Sequence, residues 1–198
     1  MISSRILSLA WNSQNQTLWF GTSSSGLGQL KKGILSYYTK ASDNLPRDLV
    51  SGLVCEKNGQ VWFNCSAHQL GGLGCFHNGK FKFYTPGNSE LPDNLIKSIA
   101  IRDQTIYVAT GGTVERQKVL TITNNKWKFL PVTGYYLMNM DVTRDGTVYV
   151  IDDAGLSSST SVTNKIYECK NGLVRDILPP GTGRDISPHI LKTDLRNY

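Results

Sequence analysis

The sequence predicts an all-β chain, a β-propeller of about four blades, each blade a four-stranded antiparallel sheet. Three observations predict it. An apolar strand with an aromatic anchor recurs ahead of a glycine-containing loop: Leu18-Trp19-Phe20-Gly21-Thr22 before Gly26-Leu27-Gly28, Val61-Trp62-Phe63-Asn64-Cys65 before Gly71-Gly72-Leu73-Gly74, Ile106-Tyr107-Val108-Ala109-Thr110 before Gly111-Gly112, and Val148-Tyr149-Val150-Ile151-Asp152 before Gly155-Leu156. The anchors Trp19, Trp62, Tyr107 and Tyr149 lie 43, 45 and 42 residues apart, the period of a propeller blade. Each repeat also divides into short alternating apolar runs separated by turn residues, which is the pattern of a meander and not of helices.

The first unit, residues 5–42, shows every element. Arg5 to Trp11 alternates through Ile6, Leu7, Leu9 and Trp11, and Asn12 to Gln16 makes a turn. The anchor strand Thr17 to Thr22, the Ser/Gly loop, Leu27 to Lys31, a turn at Lys32-Gly33 and Ile34 to Thr39 complete the meander. Ala41 to Pro46 is a polar connector in which Pro46 ends the pairing.

The second unit, 48–86, repeats the plan: Leu49 to Glu56, Val61 to Ser66, Leu73 to His77 and Lys80 to Thr85, with Asn58-Gly59 and Asn78-Gly79 as hairpin turns. The third, 94–132, turns at Asp103-Gln104 and Asn124-Asn125. The fourth, 136–180, turns at Asp145-Gly146 and carries a Ser/Thr-rich insertion from Ser157 to Thr163. A further strand is expected at 188–195, similar to Leu95 to Ile101. A blade cannot bury its sheet faces alone, so the sequence leaves three arrangements open: a fragment of a longer propeller, which we favour, closure of this strand against the first unit, or self-association of two chains.

The 198 residues carry 21 Lys and Arg against 15 Asp and Glu, a net charge of +6. These cations are spread along the chain with nothing larger than pairs such as Lys31-Lys32, so they describe a solvated surface and no nucleic-acid partner is expected. No apolar run approaches the ~18 residues of a membrane span, and no membrane insertion by this segment is expected. The start, Met1-Ile2-Ser3-Ser4-Arg5, shows no signal peptide. The four cysteines have none of the paired spacing of a zinc site. They read either as small buried hydrophobes or, for Cys65 and Cys75, as a cross-strand disulfide if the intervening loop centres near Leu70.

The repeated Leu-Pro of the connectors (Leu45-Pro46, Leu91-Pro92), the Asn58-Gly59 turn, the Trp-containing anchor strands ending in Gly21-Thr22 and the Gly71-Gly72-Leu73 loop together resemble the two-component regulator propeller repeat. The match is good in units one and two, weaker in three and poor in four. The resemblance implies the sensor region of a hybrid two-component or histidine kinase protein, in a periplasmic or extracytoplasmic position, with oligosaccharides among the ligands of the family.

The anchor aromatics are expected to pack between blades, and Gly21 and Gly111 to allow close backbone approach. Function is expected in the loops after the anchor strands, which share one phase of the repeat and therefore one rim. There His68, Gln69, Arg116, Asp152 and Asp153, with Tyr136 or Tyr135 from a connector, supply the planar polar groups and rings that recognise a carbohydrate or other small polar ligand. No cofactor, metal or catalytic residue is expected, since the histidines are scattered in phase and no nucleophile elbow or zinc helix occurs. Two other classes stay open: a lyase-type propeller enzyme, for which His68 with Glu115 is the candidate pair, and a protein-interaction platform, which would show a flat apolar rim.

Overall fold

The computed structural model describes residues 4–65, 71–153 and 164–178. Its strands form four four-stranded antiparallel sheets, each in simple sequence order. Blade 1 is β1 (Ile6–Asn12), β2 (Thr17–Thr22), β3 (Leu27–Lys31) and β4 (Ile34–Tyr38); blade 2 is β5 (Ser51–Cys55), β6 (Val61–Asn64), β7 (Leu73–His77) and β8 (Lys80–Tyr84). Blade 3 is β9 (Ile96–Arg102), β10 (Thr105–Thr110), β11 (Val119–Thr123) and β12 (Lys126–Phe129); blade 4 is β13 (Leu137–Val142), β14 (Val148–Asp152), β15 (Lys165–Lys170) and β16 (Leu173–Asp176). The first strands of successive blades lie side by side, β1 on β5, β5 on β9 and β9 on β13. This is the arrangement of propeller blades about a common axis, and no contact of comparable extent returns from β13 to β1 among the described residues. The expected strand at 188–195 lies outside the described residues.

The cross-strand register explains why the sheets stack. In an antiparallel ladder directly opposed residues share a face, so blade 2 has one face built of Cys55, Val61, Phe76 and Phe81 in one row and Phe63, Gly74 and Phe83 in the next. That face buries itself against Trp19, Leu27 and Tyr38 on the opposing face of blade 1. Trp19 lies 5.1 Å from Phe76 between ring centroids, and Tyr38 lies 5.1 Å from Phe76. The other face of blade 2, with Trp62, Leu73, Cys75 and Tyr84, packs on Ile99, Ile106, Val108, Leu120 and Ile122 of blade 3. Ala100, Ala109 and Val119 of blade 3 in turn cover Met140, Val142, Val148, Val150 and Cys169 of blade 4. Burial of this much apolar surface, at roughly 25 cal/mol per Å², is what joins blades that a single meander could not stabilise.

Polar links run between the same neighbours. Arg102 Nη2 donates to Val142 O at 2.7 Å, Asn64 Nδ2 to Ile96 O at 2.8 Å and Val50 N to Thr22 O at 2.9 Å. Close approach depends on glycine where expected: a Cβ on Gly21 would stand 2.4 Å from Val50 O, and one on Gly111 2.9 Å from Leu95 Cδ2. Gly28 and Gly74 have a separate duty. The rings of Phe20 and Phe63 lie over them, so that a Cβ would meet each ring at 2.1 and 2.3 Å, an aromatic side chain covering a strand glycine.

Of the two readings open for the cysteines the structure bears out small buried hydrophobes and not a Cys65–Cys75 disulfide: Cys65 N donates to Gly72 O, while Cys75 opposes Trp62, so the loop register sets the two three positions out of step. Their thiols face different blade interfaces, Cys65 toward blade 1 and Cys75 toward blade 3, and all four cysteines are free. The first connector is not merely a turn but contains a short helix, α1 (Lys40–Asp43), capped by Thr39 Oγ1, which accepts from Ser42 N, and ended by Asn44 in the left-handed region. Tyr149 lies on the face of blade 4 turned away from blade 3, where its hydroxyl donates to Glu168 Oε1 at 2.9 Å.

Candidate functional site

The loops after β2 and β10 emerge on the rim that also carries the inter-blade connectors, and hydrogen bonds tie loop to connector. Gly26 N donates to Asp48 O at 2.8 Å in this way. Around blades 3 and 4 the same coupling gathers four of the six residues expected from sequence. Residues 114–116 form a 3-10 turn that exposes Glu115 and Arg116. The next residue, Gln117, is buried and bridges loop to connector: its Nε2 donates to Gly112 O and Tyr135 O, and its Oε1 accepts from Leu137 N at 2.8 Å. Arg116 Nη1 stands 3.4 Å from Asp93 Oδ2, and Asp93 is itself fixed by accepting from Leu95 N.

Asp152 ends β14 and Asp153 follows it, beneath the same connector. Asp152 is 1% exposed; its Oδ1 accepts from Tyr136 N at 2.6 Å, and both carboxylate oxygens lie 3.1 Å from Tyr135 N. The neighbouring Gly134 leaves room for this carboxylate, since a Cβ there would fall 2.7 Å from Asp152 Oδ2. Asp153 N donates to Tyr136 O at 2.9 Å, with its side chain nearly buried. These contacts present the Tyr135 and Tyr136 side chains outward, both exposed, on the same rim as the Arg116 guanidinium. The arrangement offers two rings and a guanidinium on a fixed backbone. Rings of this kind stack on apolar ligand faces, and a planar guanidinium binds paired oxygens.

His68 and Gln69 lie outside the described residues. The Ser23–Ser25 loop, also on this rim, spends its hydroxyls internally: Ser4 Oγ lies 3.2 Å from Ser23 Oγ and accepts from Ser24 N at 3.0 Å. Sequence reasoning missed Gln117 and Asp93, the two side chains that set the positions of Arg116 and the tyrosines. Their signal was absent because a bridging role depends on which loop lies next to which connector.

The opposite rim, formed by the hairpin turns, also holds a cleft. Between blades 2 and 3 a space of about 200 Å³ is lined by Glu56, Asn58, Gln60, Trp62, Gln104 and Asn125, among others. It adjoins one of about 400 Å³ reaching Gln14 on blade 1. Glu56 is buried with Oε1 accepting from Trp62 Nε1 at 2.6 Å and Oε2 from Asn58 Nδ2 at 3.1 Å. That makes the carboxylate a brace for the indole and for the turn. In sequence Asn58, Gln104 and Asn125 registered only as turn residues, Glu56 as a strand end and Trp62 as a packing anchor.

No protein-family model matches the chain, and no curated protein matches it. Solved structures share its fold. One is XC5397, a gluconolactonase of Xanthomonas campestris, with TM-score 0.59 and 13% identity over 88% of this chain and 62% of its own. Another is the extracellular domain of the putative hybrid two-component system BT4673 of B. thetaiotaomicron, with TM-score 0.59 and 16% identity over 89% of this chain and 22% of that one. A calcium-binding regucalcin of Agrobacterium tumefaciens gives TM-score 0.55 and 12% identity over 86% of this chain and 58% of its own. The chain thus spans less than two thirds of each of these proteins. Among the described residues no helix is long and apolar enough to cross a membrane. At these identities the likeness establishes a propeller-like fold, one that includes the extracellular domain of a two-component sensor among its examples.

Proposed function

We propose that this chain is the ligand-recognising propeller of a two-component sensor, placed outside the cytoplasm, and that it binds a carbohydrate or other small polar ligand without transforming it. The observation that carries the reading is the exposed pair Tyr135 and Tyr136 on the rim that also presents Arg116, held from beneath by Asp152 and Gln117. Two rings and a guanidinium are chemistry for stacking on a sugar face and pairing with vicinal hydroxyls or a uronate. His68 and Gln69, from the equivalent loop of blade 2, and Asp153 complete the set of ligand contacts. Asp152 contributes through the connector it holds, because its carboxylate faces inward. Support for the sensor role comes from the repeat resemblance and from the shared fold of the BT4673 extracellular domain.

The test is a thermal-shift and glycan-array screen of neutral and acidic oligosaccharides against wild type, Arg116→Ala and Tyr136→Ala. A ligand at about 100 times its Kd stabilises the folded state by ~2.7 kcal/mol, a shift readily measured. At least one saccharide class is expected to stabilise wild type and to lose that effect in both variants. No stabilisation by any saccharide, with all three proteins behaving alike, defeats the carbohydrate reading.

A further inference from the structure

The cleft between blades 2 and 3 on the hairpin-turn rim has both of its walls inside the chain. Blade 2 is flanked by blades 1 and 3, and blade 3 by blades 2 and 4, so neighbours on either side set its shape. It measures about 200 Å³, room for roughly six or seven waters at ~30 Å³ each, which is the size of a small organic ligand.

In a chain of net charge +6 the one charged side chain lining this cleft is an acid, Glu56. Glu56 is 8% exposed, and among the described residues no Lys or Arg pairs with it. Two neutral donors hold its carboxylate, Trp62 Nε1 on one oxygen and Asn58 Nδ2 on the other. A carboxylate offers about four lone-pair sites, so each oxygen can accept once more. The charge itself has no partner, and a charge taken from water without one is costly.

The repeat shows that blade packing does not call for this acid. In strand register the position of Glu56 is taken by Asn12 in blade 1, Arg102 in blade 3 and Thr143 in blade 4. An amide, a guanidinium and a hydroxyl serve there equally. Bracing the Trp62 indole needs only an acceptor oxygen, which a neutral amide also supplies.

The rest of the lining suits a positive ligand. Gln104 and Asn125, on the blade 3 side, are exposed and make no hydrogen bond to another described residue, so their amide oxygens are open to a donor. Carboxylate and amide oxygens together match the three N–H donors of a primary ammonium. Trp62, Ile106 and Ile122 supply the apolar part of the lining, which can cover a short hydrocarbon stem. An anion would be repelled by Glu56, and a neutral polyol would leave the carboxylate without a countercharge.

We propose that this cleft binds a primary ammonium carried on a short apolar stem, the nitrogen against Glu56 and the stem against Ile106 and Ile122. The site lies on the rim opposite Arg116 and the tyrosines and does not depend on what that rim binds.

The experiment is a proton–nitrogen NMR titration of the 198-residue chain with n-butylammonium at low salt, read at the Trp62 indole N–H, which shares the carboxylate, and at the Gln104 side-chain amide. n-Butanol, n-butyrate and glucose are titrated in parallel, and wild type is compared with Glu56→Gln, Gln104→Ala and Arg116→Ala. Glu56→Gln removes the charge and keeps an acceptor for the indole. Gln104→Ala alters an exposed turn residue and reads the site even if the first variant folds poorly, with circular dichroism and melting as the fold check. Expected are saturable shifts with a Kd on the order of 1 mM that weaken with salt. Glu56→Gln should raise that Kd about tenfold or more and Gln104→Ala about threefold, with Arg116→Ala unchanged. The other three compounds should leave both resonances in place. A wild type with no saturable shift up to about 100 mM amine overturns the proposal. So does amine binding that survives Glu56→Gln unaltered, or an equal response to n-butanol, n-butyrate or glucose, since the cleft would then not select the charge. Loss of amine binding in Arg116→Ala overturns it as well, because the amine would then sit on the other rim.

Discussion

Replacing Asp152 by Ala tests the architecture of the candidate rim directly. Two backbone N–H groups, those of Tyr135 and Tyr136, donate to this carboxylate, one of them at 2.6 Å. A hydrogen bond to a charged group contributes about 1.5–3 kcal/mol, giving a gross loss of about 3–6 kcal/mol for two. Both tyrosines are exposed, so their N–H groups partly recover water, and the net loss falls to about 3 kcal/mol. For a chain of this size ~1 kcal/mol shifts Tm by ~2–4 °C, so Asp152→Ala should melt about 6–12 °C below wild type in a calorimetric scan. Asp152→Asn keeps one acceptor oxygen and should lose about half as much. If the proposed ligand site is real, both variants lose saccharide affinity although Asp152 does not face solvent. Asp152→Ala melting within about 1 °C of wild type, or Asn costing as much as Ala, would refute the claim that this carboxylate holds the connector.

Other consequences follow from the same packing. Gly74→Ala drives a methyl into the buried Phe63 ring and should destabilise by about 1–3 kcal/mol in urea unfolding, whereas Ala at Gly87, where the nearest atom is 3.7 Å away, should stay within about 0.5 kcal/mol. Glu56→Ala leaves the buried Trp62 indole N–H without its acceptor and should lose about 1–3 kcal/mol, with Glu56→Gln losing less; equal melting of all three proteins would contradict this. Burial pushes the Cys65 and Cys75 thiols up to about 11 from an ordinary value near 9. Because the folded value is the higher, their contribution to stability is complete below pH 9 and is lost as pH rises from there through 11. Thiol titration at pH 8 should accordingly find these two unreactive in the native chain and find all four cysteines reactive after denaturation; fast native labelling of Cys75 would contradict its burial.

Much of the architecture could be read in the residues. The strands of blade 1 appear within a residue of where alternation and turns put them, because one-residue slips would turn Trp19 and Leu27 away from blade 2. Hairpin turns at Asn78-Gly79 and Asn124-Asn125 were equally legible, since positive φ at those positions selects Asn and Gly. Spacing left Cys65 and Cys75 open between a disulfide and two buried thiols because it does not reveal where a long loop centres, and the strand register decided for free thiols.

The repeat period and the alternation within it determined the fold class and the strand order, because both follow from local rules: a two-residue side-chain period and turns that tolerate positive φ. Only tertiary structure decided the rest. It put Gln117 and Asp152 under the tyrosine connector and gave Glu56 to Trp62. Those outcomes depend on which side chains, loops and connectors meet in space, information that burial and hydrogen-bond geometry hold and that neither composition nor period contains.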